Sequence, residues 1–286
     1  LRSMDDYIKL MPAYCLDFHC IADKCKHTCC AGWEIDIDEI SLKRYSSEQG
    51  ELGIRLASNI ENGAFRLGED ERCPFLNSRN LCDLILAKGE NYLCDICKEH
   101  PRFYNYRGDT EESGIGLCCE EAARIILGAE DRSIIVLNGQ LSSEEAKLLK
   151  RRENFILSLA AQLLCSNPTS ENFDLFFLCE NLDSEWPDIL KKASQLQNYV
   201  NPSDKGCTLA IMNLVAYLVY RYWNESIEYG EDKLQRFVKD CVNVVKAVYV
   251  VRAGDRKFDF ELFCDTARLF SSEIEYSDIN TGLWFR

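Results

Sequence analysis

The sequence has no excess of positive charge. Its 286 residues carry 33 Lys and Arg against 47 Asp and Glu, a formal net charge of −14 at pH 7. A surface of that sign repels phosphate, so nucleic-acid binding is not expected. A cationic partner suits it better. Phosphate-cradling loops are missing as well: no GxGxxG follows a strand and no GxxxxGK[ST] occurs. HExxH, GxSxG and the kinase motif set are also absent, which removes the common zinc-protease, hydrolase and kinase signatures. Six Pro and 15 Gly are too few for a linker-rich or disordered chain. No apolar run is long enough for a bilayer. The best candidate, residues 207–223, is interrupted by Asn213 and Arg221 and falls short of the roughly 20 residues a span requires. It reads as a buried core helix, and no membrane association is expected. The first ten residues, with Arg2, Asp5, Asp6 and Lys9, lack the apolar stretch of a signal peptide. The expected compartment is the cytoplasm.

Cysteine is what the chain has in abundance. Of 16 cysteines, eleven fall within residues 15–119 and only five in the remainder, at 165, 179, 207, 241 and 264. In a reducing compartment clustered thiols indicate metal rather than disulfides. The five late cysteines lie among apolar residues and read as small core hydrophobes. The early ones form groups: Cys20, Cys25, Cys29 and Cys30 in CIADKCKHTCC; Cys73 and Cys82 in CPFLNSRNLC; Cys94 and Cys97 as one CxxC; and Cys118 with Cys119 before a helix-forming EEAARIIL. Thiolates before a helix are favoured by its dipole. Zinc commonly takes two CxxC-type pairs, whereas a [4Fe–4S] cluster is often pinned by thiolates from dispersed positions. With one CxxC and the other thiols spread over a hundred residues, the pattern favours an iron–sulfur cluster, with zinc as the alternative. His27 and His100 adjoin the cysteine groups as further candidate ligands, or as partners in local hydrogen bonds. The CxxxCxxC signature of radical S-adenosylmethionine enzymes is absent, because Gly32 stands where its third cysteine would be.

The fold class reads as mainly α without a Rossmann domain: residues 1–140 form an irregular cysteine-rich half with at most short strands, and residues 141–286 a helical half. In the first half, WEIDIDEI (33–40) alternates like a short strand or extended segment, Ser41 is positioned to cap a following helix, residues 120–127 read as helix, and SIIVL (133–137) is at most one short strand. In the second half, a helix starting at Ser142 or Ser143 runs to about Cys165, where Asn167-Pro168 ends it. The helical period continues over 173–181. Further helices begin at Trp186-Pro187 and cover about 205–225, 231–252 and 259–271. Leu234, Phe237, Val238, Cys241, Val242 and Val245 mark one buried face.

Taken together these residues resemble the flagellin lysine-N-methylase family and related cysteine-rich proteins described as zinc- or iron-chelating. The opening Met11-Pro12-Ala13-Tyr14, Asp17, Phe18, Cys20, Cys25, Thr28-Cys29-Cys30, Gly32-Trp33, Ile37-Asp38 and Tyr45 carries the resemblance. So do Cys73-Pro74-Phe75-Leu76, Leu81-Cys82, Leu93, Cys97 and Pro101-Arg102, and then Leu117, Cys119 and Glu121-Ala122-Ala123-Arg124. The match is dense over about 11–127. It implies transfer of a methyl group from S-adenosylmethionine to lysines of flagellin by a protein with an iron–sulfur cluster. The thiols it matches are Cys20, Cys25, Cys29, Cys30, Cys73, Cys82, Cys97 and Cys119; Cys15, Cys94 and Cys118 match the pattern less well and are weaker ligand candidates. A lysine amine has a pKa of about 10.4 in water, so a polar transfer needs a group that removes or stabilises a proton. Asp36, Asp38 and Glu121 lie beside motif cysteines and are the candidates. Tyr14 and Trp33 would wall a cation site, and Arg102 would meet the carboxylate of the cofactor. The competing readings are a non-catalytic module that binds zinc or iron, and a helical adaptor for a flagellar protein. Residues 1–140 hold 16 basic and 25 acidic side chains against 17 and 22 in the rest, so the acid excess is greater beside the cysteine motifs.

Overall fold

The computed structural model describes residues 7–68, 71–196, 204–254 and 256–286. Its strands are β1 (Ile8–Pro12), β2 (Ile35–Asp36), β3 (Ile60–Glu61), β4 (Ala64–Phe65), β5 (Arg102–Arg107), β6 (Thr110–Ile115) and β7 (Ile134–Asn138). The helices are α1 (Glu39–Ser46), α2 (Gly50–Asn59), α3 (Asp83–Lys88), α4 (Asp95–Glu99), α5 (Glu120–Gly128), α6 (Ser143–Cys165), α7 (Trp186–Ser194), α8 (Lys205–Arg221), α9 (Trp223–Tyr229), α10 (Glu231–Ala253), α11 (Phe260–Ile274) and α12 (Asp278–Phe285). The described residues are mainly helical and among them no alternation of parallel strands and helices occurs, as the sequence predicts.

The contacts divide it differently from a cut at residue 140. One compact unit comprises residues 1–18 together with 104–286, and the other is residues 19–103. The reason is a four-stranded sheet in the order β5-β6-β1-β7. In it β1 runs parallel to β6 and antiparallel to β7, which ties the start of the chain to residues 110–138. The sequence does not announce this sheet. β6 reads TEESGI, and Glu111 and Glu112 are buried within it. Glu112 is tolerable there because Arg152 donates to it from α6 at 2.7 Å.

In the helical unit the expected starts are largely met. Ser142 caps α6 by accepting from the Glu145 N–H at 3.1 Å, and α7 begins at Trp186 with Pro187 in its first turn. The helix expected over 205–225 is two, α8 and α9, with Tyr222 between them. Tyr222 packs edge-on against Phe237, ring centroids 4.7 Å apart. Over residues 173–181 there is no continuous helix: one 3-10 turn, Ser170–Phe173, ends there and a second covers Phe176–Leu178. The predicted apolar face of α10 is buried, but so are Asp240, Asn243 and Lys246 on other faces. This helix is central, packing on α6, α7, α8, α9, α11 and α12. Its buried polar groups are satisfied locally: Asp240 accepts from Trp284 Nε1 at 3.0 Å, and Lys246 Nζ donates to the Leu163 and Ser166 carbonyls at the end of α6. Four of the five late cysteines are buried, as expected, whereas Cys165 is exposed. Among the described residues no helix is long and apolar enough to cross a membrane.

Candidate metal centre

The unit of residues 19–103 is built around its cysteines. Its core contains Ile35, Ile37, Tyr45, Leu56, Phe65, Phe75 and Leu84, together with Cys73 and Cys94, and Cys30, Cys82 and Cys97 pack against it. Three chain segments deliver these thiols. The first is zipped to the second: the Cys73 N–H donates to the Cys30 carbonyl at 2.8 Å, and the Gly32 N–H to the Glu71 carbonyl at 3.1 Å. Gly32 has φ +84°, a left-handed turn that favours glycine. Within the second segment the chain folds back over Pro74-Phe75-Leu76, the Leu76 N–H reaching the Cys73 carbonyl and the Asp83 N–H the Phe75 carbonyl. Phe75 anchors this turn, fully buried, with the Arg55 guanidinium 5.2 Å from its ring centroid. The third segment is the start of α4, where Cys94 is the N-cap residue and Cys97 lies one turn on.

Asp38 ties α4 to α1. One carboxylate oxygen accepts from the Ser41 N–H at 2.8 Å, capping α1, and the other from the Asp95 N–H at 3.0 Å. Asp38, not Ser41, is therefore the α1 cap. Although desolvation opposes it, these backbone donors bring the Asp38 carboxyl down to about 2. Both oxygens are engaged, and a carboxylate held that low is a poor acceptor for a lysine proton.

The thiols influence one another. Cys30 falls to about 7, chiefly through the hydrogen bond from the Cys29 thiol, with Thr28 and the charge of Arg72 adding to it against desolvation. Burial pushes Cys73 up to about 12, and the charges of Cys30, Cys82 and Cys94 push the same way. Burial also raises Cys82, although the Leu84 and Ile85 N–H groups at the start of α3 oppose it. In the CxxC, Cys94 is lowered by the hydrogen bond from the Cys97 thiol, and Cys97 is raised by the same bond. Five sulfurs thus share one electrostatic neighbourhood, with Cys29 as hydrogen-bond partner to one of them. Two of the five, Cys30 and Cys94, are the ones disposed to ionise, and the thiolate is the metal-binding form. Even so, among the described residues no three His, Cys, Asp or Glu side chains form a grouping that could hold a metal ion. A single zinc would need sulfurs only about 3.8 Å apart, at Zn–S distances of about 2.3 Å, whereas an iron–sulfur cluster interposes several atoms between its thiolates.

The other expected site residues are distributed as follows. Cys20 is exposed and accepts from the Ala22 N–H at 3.4 Å. Cys25 closes the 3-10 turn Ala22–Lys24 and stands outside the core group. Cys119 belongs to the other unit, where it is the N-cap residue of α5. Glu121, in that helix, is paired with Arg124, whose Nε lies 2.8 Å from it. Tyr14 is also in that unit. Asp36 is exposed in β2, opposite Ala64. Trp33 donates its indole N–H to the Cys29 carbonyl and lies 5.9 Å, ring to ring, from His100. Burial lowers His100 to about 4, so its imidazole is neutral beside Trp33. Arg102 is exposed at the start of β5. Of the three weaker ligand candidates, Cys15, Cys94 and Cys118, Cys94 is fully buried in the same core as the motif thiols. Its signal was the CxxC itself.

Comparison with known proteins finds distant similarities. Lysine-N-methylases of Salmonella choleraesuis and Salmonella typhimurium are each 25% identical to this chain over 130 residues, 42% of it and 32% of each relative. The chain is distantly similar to these lysine-N-methylases. A flagellar biosynthetic protein, FliU of Salmonella muenchen, is 25% identical over 150 residues, covering 49% of this chain and 88% of FliU. The similarity thus spans about a third of each lysine-N-methylase and most of FliU. No family model matches the chain, and no solved structure does.

Proposed function

We propose that this protein is an S-adenosylmethionine-dependent lysine N-methyltransferase that acts on flagellin and carries a [4Fe–4S] cluster on the cysteines of residues 19–103. The observation that carries the reaction is the similarity to proteins named lysine-N-methylase, joined by one named for flagellar biosynthesis. What supports the cluster is donor chemistry: thiols from three segments gathered into one core, with Cys30 and Cys94 disposed to ionise. Cys30, Cys73, Cys82 and Cys97 would hold it, with Cys94 as a fifth donor in reach of the same group. When bound, the cluster would supply redox chemistry or an open coordination position.

The protein's own residues have narrower tasks. Asp38 holds α4, and with it Cys94 and Cys97, against α1. Trp33 and neutral His100 form an aromatic wall beside Cys29 and Cys30. The acid excess of the chain attracts a lysine-bearing partner. The test is direct. Purified protein, flagellin and S-adenosylmethionine are incubated anaerobically, and flagellin is mapped by mass spectrometry. Lysines are expected to gain methyl groups in single-methylene mass steps. Unmodified flagellin, with the protein folded and its metal in place, contradicts the proposal.

A further inference from the structure

The unit formed by residues 1–18 and 104–286 contains a cavity of about 610 Å³ that none of the cysteine chemistry uses. That volume lies within the range of small-molecule sites, about 300–1,000 Å³. Its walls are mainly apolar and come from α6 and α8, with Ile156, Met212 and Ala216 among them, and Tyr14 and Tyr220 bring aromatic rings to its lining. One charged side chain in this lining is unusual. Arg152 is 3% exposed and is fixed on two sides, by Glu112 at 2.7 Å and by the Tyr220 ring, whose centroid lies 4.8 Å from its guanidinium carbon. Its Nη2 is buried without a hydrogen-bond partner. The charge is paired with Glu112, but a buried N–H left without an acceptor is still costly, and an anionic oxygen of a ligand is an acceptor that would satisfy it.

We infer that this cavity is the binding site for the methyl donor, with the carboxylate of the amino-acid end at Arg152 and the nucleoside end along the apolar wall. This rests on the methyltransferase reading for the identity of the ligand. The lining itself supplies a cationic group, Arg152, an apolar wall and two aromatic rings, which suit a carboxylate head and the planar base of a nucleoside. Tyr14, in the Met-Pro-Ala-Tyr stretch of the opening motif, is thereby given a place, and Arg152 takes the role that the sequence reading assigned to Arg102.

The test uses the full chain and S-adenosylhomocysteine, the unreactive product of methyl transfer, in calorimetric titration and hydrogen exchange. One equivalent is expected to bind, and to protect amides of residues 143–165 and 205–221. Ala216→Trp fills the cavity while leaving the Arg152–Glu112 pair in place. It is expected to weaken binding by about tenfold or more with an unchanged circular-dichroism spectrum. Should folded Ala216→Trp bind as the wild type does, with protection lying elsewhere, the cavity assignment fails and the methyltransferase reading stands. Should the wild type bind nothing, both fail. If Ala216→Trp does not fold, the location of protection in the wild type decides alone.

Discussion

Serine at Cys30, Cys73 or Cys97 is expected to remove the bound metal and to lower the melting temperature of the purified protein substantially. Each thiol comes from a different segment, and the contacts that join the segments include the Cys73-to-Cys30 and Gly32-to-Glu71 backbone bonds and the Asp38 side-chain clip. A centre that binds only the folded state stabilises it by mass action, by about 4 kcal/mol at a thousandfold excess over its dissociation constant. Losing that contribution exceeds any effect of the thiol-to-hydroxyl change alone. Cys165→Ser is the matched control, because Cys165 is exposed at the end of α6 and surface changes usually stay within about 0.5 kcal/mol. Metal analysis and thermal melts of the four variants check the expectation. Equal melting temperatures across the set would contradict it.

The second large effect is expected at Arg152. Its ion pair with Glu112 is buried on both sides, each side chain 3% exposed. Removing one partner of such a pair typically costs about 3–5 kcal/mol, because the other charge stays buried without compensation. Arg107 stands 3.6 Å from Glu112, so Arg152→Met should fall at the lower end, about 3 kcal/mol. For a chain of this size that corresponds to a drop in melting temperature on the order of 10 °C. Glu112→Leu combined with Arg152→Met removes the stranded carboxylate and should recover most of the loss. Denaturant melts of the single and double variants test this. A single variant within about 1 kcal/mol of wild type, or a double variant less stable than the single, would show that the pair does not hold β6 to α6.

The parts of the fold that the sequence revealed are those decided locally. Ser142 before Glu145, Pro187 after Trp186 and the apolar spacing of α10 are short-range signals, and each element formed where they placed it. The sheet depended on partners far away in sequence. β6 carries glutamates inward because Arg152 waits 40 positions later, and no window of neighbouring residues contains that information. The cut at residue 140 failed to match the compact units for the same reason: β1 pairs with strands a hundred residues distant. At the site, cysteine density and motif spacing marked eight thiols without sorting them, and four of these, Cys30, Cys73, Cys82 and Cys97, share one core. Cys94 was ranked a weaker candidate by comparison with a family pattern, although its CxxC spacing was in plain view. The structural use of Asp38 was hidden because both of its donors are backbone N–H groups, one of them 57 positions away. Arg152 gave no signal at all, since a lone arginine in a helix ordinarily lies at the surface.

An inorganic centre enclosed by the sulfurs of residues 30–97 underlies the proposed activity. Iron, acid-labile sulfide and zinc, measured per chain on protein purified without oxygen, test that most directly. The prediction is about four irons with matching sulfide, lost on Cys73→Ser. Protein that is free of iron, sulfide and zinc, folded and active on flagellin with its thiols open to alkylation, would contradict it.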